Sequence, residues 1–288
     1  MDDTLTPFLI ENRGVRGFAV EIQSGISDML GWRHYSPDVA TLLGQALAAT
    51  PLLAADLHDD GRFNLQFKGA GALSMLVTQI DNQLKLRGMA KAKRQASGDF
   101  GSMMQGGQLA CLLEPRAGAE RYQAVVEIRG RSLADALEGY FEQSAQLPTR
   151  IRLAAGPAKF SGLLVQRQPE GIGLEGGNWE HVQALFATLG EAELLQADSI
   201  TLLRRLFAEE DVRVFTARPV TLQCRCDHAG ISAMLLALGE EELRQVIAER
   251  GQIDVTCEFC GRQYGFGATE LASLFSAANL TPSGQTRH

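Results

Sequence analysis

The 288-residue chain lacks several things, and each absence narrows what it can be. No run approaches the ~18 uncharged apolar residues that a membrane-spanning helix needs. The start, Met1-Asp2-Asp3-Thr4, has no basic region of the kind that opens a secretory signal, so a cytoplasmic protein is expected. Basic charge is in short supply: 27 Lys and Arg face 34 Asp and Glu, a formal net charge of −7. That balance argues against a general nucleic-acid binder, which must neutralise phosphates with clustered cations. Cysteine is also scarce, at five residues. With 45% hydrophobic and 21% charged residues, what remains is a globular composition, and the length suits about two domains.

The scarce residues are unevenly placed. Residues 1–170 hold 18 acidic and 18 basic side chains, so the whole excess of negative charge lies in residues 171–288. Cys111 stands alone in the first part, within the apolar run Leu109–Leu113, and reads as a small core residue. Cys224, Cys226, Cys257 and Cys260 crowd the last 65 residues. The one basic cluster, Lys85, Arg87, Lys91, Lys93 and Arg94, reads as a solvated strand edge.

Between residues 15 and 168 the pattern alternates between strand and helix, as in an α+β or α/β domain. Strands are expected at 16–22, 63–68, 72–80, 83–90, 121–129 and 160–167, with Asp81-Asn82 as a hairpin turn. Helices are expected at about 37–56 and 133–146. Ser132 and Asp135 supply a cap to the second, and Pro148 stops it. From 170 to 223 the pattern becomes amphipathic helices jointed by Gly171-Ile172-Gly173 and Gly176-Gly177, with Asn178 as a cap. Val182, Leu185, Phe186 and Leu189 share one face, and Leu202, Leu203, Leu206 and Phe207 share another. This stretch suits either a packed helical subdomain or a linker whose apolar stripes become exposed on release.

The most specific signal is Cys224-Arg225-Cys226 followed, after 30 residues, by Cys257-Glu258-Phe259-Cys260. Two close cysteine pairs at this separation suit a tetrahedral four-thiolate site, and zinc is the default metal. Gly261 and the flanks Val255 and Tyr264-Gly265-Phe266 suit a hairpin knuckle. His228 is near enough to ligate, but four sulfurs already fill the tetrahedron. Metal-held thiolates are in the nucleophilic form, and each cysteine has a partner within three residues, which tilts the site from a permanent staple towards a redox switch. A metal here closes a loop of roughly 30 residues, worth about 3–4 kcal/mol of chain entropy that disulfides within each pair cannot supply. About 10–16 kcal/mol of metal–ligand free energy goes with it, so oxidation is expected to unfold the module. Four cysteines allow three pairings, with proximity favouring the two local ones. Two extended residues span ~6.6 Å, so a Cys224–Cys226 bond requires a bend.

These residues resemble the redox-regulated holdases of the bacterial cytosol called heat shock protein 33, or 33 kDa chaperonin. The likeness covers essentially the whole chain. It is carried by the four cysteines in their Cys-Glu-Phe-Cys and Tyr264-Gly265-Phe266 context, by Gly139-Tyr140-Phe141 through Arg150, and by Met234–Leu243. The resemblance implies an α+β protein without catalytic turnover. A mixed sheet-and-helix domain at 1–170 would bind clients and dimerise, followed by a redox-sensitive helical linker at 171–223 and a zinc-binding switch domain at 224–288. It implies one zinc per chain on Cys224, Cys226, Cys257 and Cys260 in an inactive reduced form. Disulfides Cys224–Cys226 and Cys257–Cys260 would mark an active oxidised form, commonly a homodimer. That form would hold unfolding clients against aggregation and later pass them to ATP-dependent foldases, with no nucleic-acid or membrane partner. Two other readings compete. A zinc-ribbon nucleic-acid binder needs basic residues around the cysteines, yet residues 224–288 carry eight acids, five Arg and no Lys. A thiol–disulfide oxidoreductase needs one Cys-x-x-Cys in a βαβ context, which is not apparent.

Overall fold

The computed structural model describes residues 3–55, 61–114, 122–169 and 179–280. The chain divides into two compact units, Met1–Cys224 and Arg225–His288. The first begins with β1 (Thr4–Ile10), β2 (Val15–Ile22), α1 (Ile26–Leu30) and α2 (Pro37–Leu53). Then come β3 (Arg62–Lys68), β4 (Leu73–Asp81), β5 (Lys85–Ala92), α3 (Phe100–Met104), β6 (Gln108–Glu114) and β7 (Tyr122–Glu127). After α4 (Leu133–Tyr140), strands β8 (Thr149–Ala155) and β9 (Phe160–Arg167) precede α5 (Trp179–Ala187), α6 (Glu191–Gln196) and α7 (Ser199–Leu206). Three short strands end the unit: β10 (Val212–Val214), β11 (Arg218–Pro219) and β12 (Thr221–Leu222).

Two sheets form. One has the order β10-β1-β2-β9-β8 with β11 also on β1, and the other has the order β12-β5-β4-β3-β6-β7. Helix α2 packs against strands of both sheets. Its residues Leu42, Leu43, Ala46, Leu47, Ala48 and Ala49 are all buried, and a helix apolar on every side belongs inside. Gly44 permits the close approach, since a Cβ there would stand 2.7 Å from Ala155 Cβ and Phe160 Cε1. The opposite face of the first sheet carries Phe8, Ile10, Val15, Leu163 and Val165. It is covered by Trp179, Val182, Phe186, Leu202 and Phe207 from and just beyond α5–α7. Covered on both faces, β9 is buried along almost its whole length, so its sequence runs apolar instead of alternating.

The structure corrects several boundaries. The turn after β4 spans Asn82–Leu84, not Asp81-Asn82. Asp81 Oδ1 accepts from the backbone N–H groups of Gln83 and Lys85, at 3.1 and 3.0 Å, and Leu84 takes a left-handed φ of 55°. The first long helix ends at Leu53. The second has the expected capping box, Ser132 with Asp135, but is α-helical only to Tyr140 and closes through a π turn at Phe141–Ala145. Between α7 and Cys224 the chain is not helical. Val212–Val214 and Arg218–Pro219 pair with β1, and Thr221–Leu222 with β5, because exposed strand edges accept extended segments. The joints Gly171-Ile172-Gly173 and Gly176-Gly177 and the Asn178 cap lie outside the described residues. Strands β1, β6 and β8 lie outside the segments whose pattern predicts strand. Among the described residues no helix is long and apolar enough to cross a membrane.

The second unit contains α8 (His228–Leu238), α9 (Glu240–Arg250), the hairpin β13 (Gln252–Thr256) and β14 (Gln263–Gly267), and α10 (Ala268–Leu280). Asp227 caps α8 by accepting from Gly230 N–H at 2.7 Å, and Gly251, at φ 81°, turns the chain out of α9. Its small core includes Leu235, Leu243, Ile253, Phe266 and Leu271.

Candidate metal centre

The second cysteine pair sits on the β13–β14 turn. Thr256 pairs with Gln263, the Cys257 N–H donates to Arg262 O at 2.9 Å, and the Gly261 N–H donates to Cys257 O at 2.9 Å. Gly261 takes φ 72°, the left-handed conformation that lets so tight a knuckle close. Cys226 immediately precedes the Asp227 cap of α8, and its Sγ lies 3.4 Å from that of Cys260. Cys224 follows β12, whose parallel pairing with β5 continues as Gln223 N–H to Leu86 O at 2.8 Å. That pairing brings Cys224 Sγ to 3.9 Å from an Arg87 guanidinium nitrogen.

All four Sγ atoms lie within 4.8 Å of one another, and none of the four is in a disulfide. A tetrahedral site with metal–sulfur bonds of about 2.3 Å has sulfurs about 3.8 Å apart, so separations between 3.4 and 4.8 Å lie within a small adjustment of that geometry. A disulfide needs about 2.05 Å, well inside the 3.4 Å between Cys226 and Cys260. Among the described residues the group holds four sulfur donors and no carboxylate, a soft set suited to a thiophilic metal. His228 is engaged elsewhere. Its Nε2 lies 2.9 Å from Glu270 Oε1, and its ring packs 4.7 Å from that of Phe266.

Two further residues shape the site. The Tyr264 phenol is raised above its ordinary pKa, first by the neighbouring Cys226 sulfur. The Arg262 guanidinium is held in its charged form first by Tyr264 and then by the sulfurs of Cys226 and Cys260. A cation beside the sulfurs favours thiolates. Arg262 and Tyr264 flank the cysteines in sequence, but only the hairpin register turns them back towards the sulfurs. Cys111 is remote in role. It is 2% exposed on β6, and burial pushes its thiol up to about 12.

A four-thiol cluster on this scaffold has relatives. The model of the family described as Hsp33 protein matches residues 3–267. The chain belongs to the Hsp33 family. Relatives include the 33 kDa chaperonin of Methylobacillus flagellatus, 34% identical over all of this chain and 99% of its own. That of Azotobacter vinelandii is 37% identical over 98% of this chain and 97% of its own. The crystal structure of the Thermotoga maritima 33 kDa chaperonin superposes with a TM-score of 0.80 over 97% of this chain and 99% of that one, at 20% identity, which shows a shared fold. The Hsp33 scaffold thus carries, in this chain, four cysteines positioned to bind a metal ion.

Proposed function

We propose that the chain is a redox-regulated, ATP-independent holdase, a chaperone of the cytoplasm without catalytic turnover. The observation that carries the reading is the cluster of four cysteine sulfurs within 4.8 Å of one another in a member of the Hsp33 family. In the reduced form Cys224, Cys226, Cys257 and Cys260 hold one zinc per chain. When bound, zinc cross-links the two pairs and keeps all four sulfurs as thiolates. The knuckle hydrogen bonds of Cys257 and Gly261 and the charge of Arg262 position those thiolates.

A peroxide or hypochlorite takes two electrons from each pair and is itself reduced to water or chloride. Each pair, Cys224–Cys226 and Cys257–Cys260, then closes a disulfide. Local bonds leave residues near 225 untied from residues near 258, so the module at 224–288 loses its cross-link and unfolds. The linker at 171–223 is released with it. Its described helices cover Phe8, Ile10, Val15, Leu163 and Val165 on the first sheet, so release uncovers a broad apolar face on the 1–170 domain together with the stripes of α5 and α7. Apolar surface of that extent binds unfolding chains, which themselves expose apolar side chains. The active form is a homodimer that later gives up clients to ATP-dependent foldases.

The test is metal content and disulfide mapping. The reduced protein binds one zinc per chain, and peroxide releases it as the two local disulfides form. Cys257→Ser and Cys260→Ser weaken zinc binding and expose the C-terminal module to protease without oxidant. A reduced protein with no zinc, or full protease protection in both variants, overturns the reading.

A further inference from the structure

The basic cluster seen in the sequence divides in the fold. Lys85 and Arg87 lie on β5 at or next to its pairing with β12, whereas Lys91, Lys93 and Arg94, at its other end, line an open cleft of about 650 Å³. Arg33 and His34, just before α2, also line it. Four formal positive charges thus line one cleft, and among the described residues that line it none is Asp or Glu. The nearest acid in sequence, Asp38, is tied to the Gly98 N–H at 2.9 Å and is not part of the wall.

The wall is built, not loose. One Arg33 nitrogen donates to Ala90 O at 3.1 Å, and its guanidinium carbon lies 4.4 Å from the Trp32 ring centroid. The Tyr35 hydroxyl accepts from the Ala90 N–H at 3.1 Å, and Ser36 Oγ donates to Ala96 O at 2.5 Å.

We propose that this cleft binds a small ligand bearing a chain of two or more phosphates. Several cations around one concavity match a multiply charged ligand better than a single carboxylate. Guanidinium forks suit phosphate oxygens, and the volume falls in the range of small-ligand sites. An inorganic oligophosphate and the phosphate tail of a nucleotide share this chemistry. The site is separate from the cysteines, and its failure would leave the redox reading untouched.

The experiment is calorimetric titration of the full, reduced, zinc-loaded chain with sodium tripolyphosphate, ATP and adenosine. Tripolyphosphate and ATP each bind once per chain and adenosine does not. Tighter tripolyphosphate assigns the site to inorganic chains, and tighter ATP assigns it to nucleotides. Raising salt from about 50 to about 200 mM weakens both. The K93E/R94E double variant loses more than about fivefold in affinity with zinc content and unfolding midpoint unchanged, while R205E on α7 binds as wild type. Absence of binding by both phosphate ligands, or a loss in K93E/R94E smaller than fivefold, overturns the proposal.

Discussion

Replacing Lys159 by Met is expected to loosen α6 and α7 from the first sheet without any oxidant. Lys159 Nζ lies 2.8 Å from Glu21 Oε2, with the two side chains only 11% and 10% exposed, and also donates to Ala197 O at 2.6 Å. The other Glu21 oxygen accepts from the Ser199 N–H at the start of α7. One strand carboxylate and one lysine thus fasten both ends of the α6–α7 connection. Methionine fills the space of the lysine stem but strands the Glu21 charge, and removing one partner of a buried pair costs about 3–5 kcal/mol. Against a total stability of about 5–15 kcal/mol, that loss favours local opening of the helices before global unfolding. Amide exchange in Ser199–Leu206 should therefore accelerate roughly 150- to 4,000-fold, while α2 exchanges as before. Pairing K159M with Glu21→Gln should restore much of the protection, because the neutral amide still accepts from Ser199. The reasoning is refuted if K159M leaves exchange in α7 within about threefold of wild type.

Glu210 is the second fastening. Its carboxylate is 1% exposed and accepts from Arg13 at 2.7 and 2.9 Å and from Asn12 Nδ2 at 2.7 Å, with His181 Nε2 at 2.9 Å. The Arg13 hydrogen bonds, first, hold it below the ordinary carboxylate range. Its stabilisation is therefore complete above the unfolded value of about 4.3 and is lost as pH falls through the lower folded value. Melting of the reduced protein should show an acid-side loss that Glu210→Gln removes, the variant being less stable by about 1.5–3 kcal/mol at pH 7. Cys111→Ala should leave zinc stoichiometry and peroxide-driven zinc release unchanged. In the native protein Cys111 should also resist alkylation at pH 7.5, as a buried thiol raised to about 12 must.

Much of this was legible in the sequence because the signals were local. The Ser132–Asp135 capping box, the apolar run of β9 and the hairpin knuckle around Gly261 each depend on a few neighbouring residues. What stayed hidden was non-local. Strand β8 carries Arg150 and Arg152 among its apolar residues, and β6 reads as a core run around Cys111 until its pairing with β3 is seen. β10–β12 are too short to announce themselves and exist because the edges of β1 and β5 receive them. At the metal centre the four cysteines stood out by spacing alone. Arg262 gave no signal, and Tyr264 and Arg87 were legible only as a knuckle flank and a strand-edge cation, since hairpin and strand register bring all three to the sulfurs. The basic cluster looked like one strand edge because its division follows from where β12 pairs and where the chain before α2 passes.

The central claim is that loss of the four-thiolate cross-link and gain of client binding are one event. It is tested most directly by following zinc release and suppression of a thermally unfolding client's aggregation in the same peroxide time course. The account predicts that the reduced, zinc-loaded protein leaves aggregation unchanged and that protection rises in step with zinc release, reversing when thiols and zinc are restored. Full protection by the reduced protein, or an oxidised, zinc-free protein that leaves client aggregation unchanged, would contradict it.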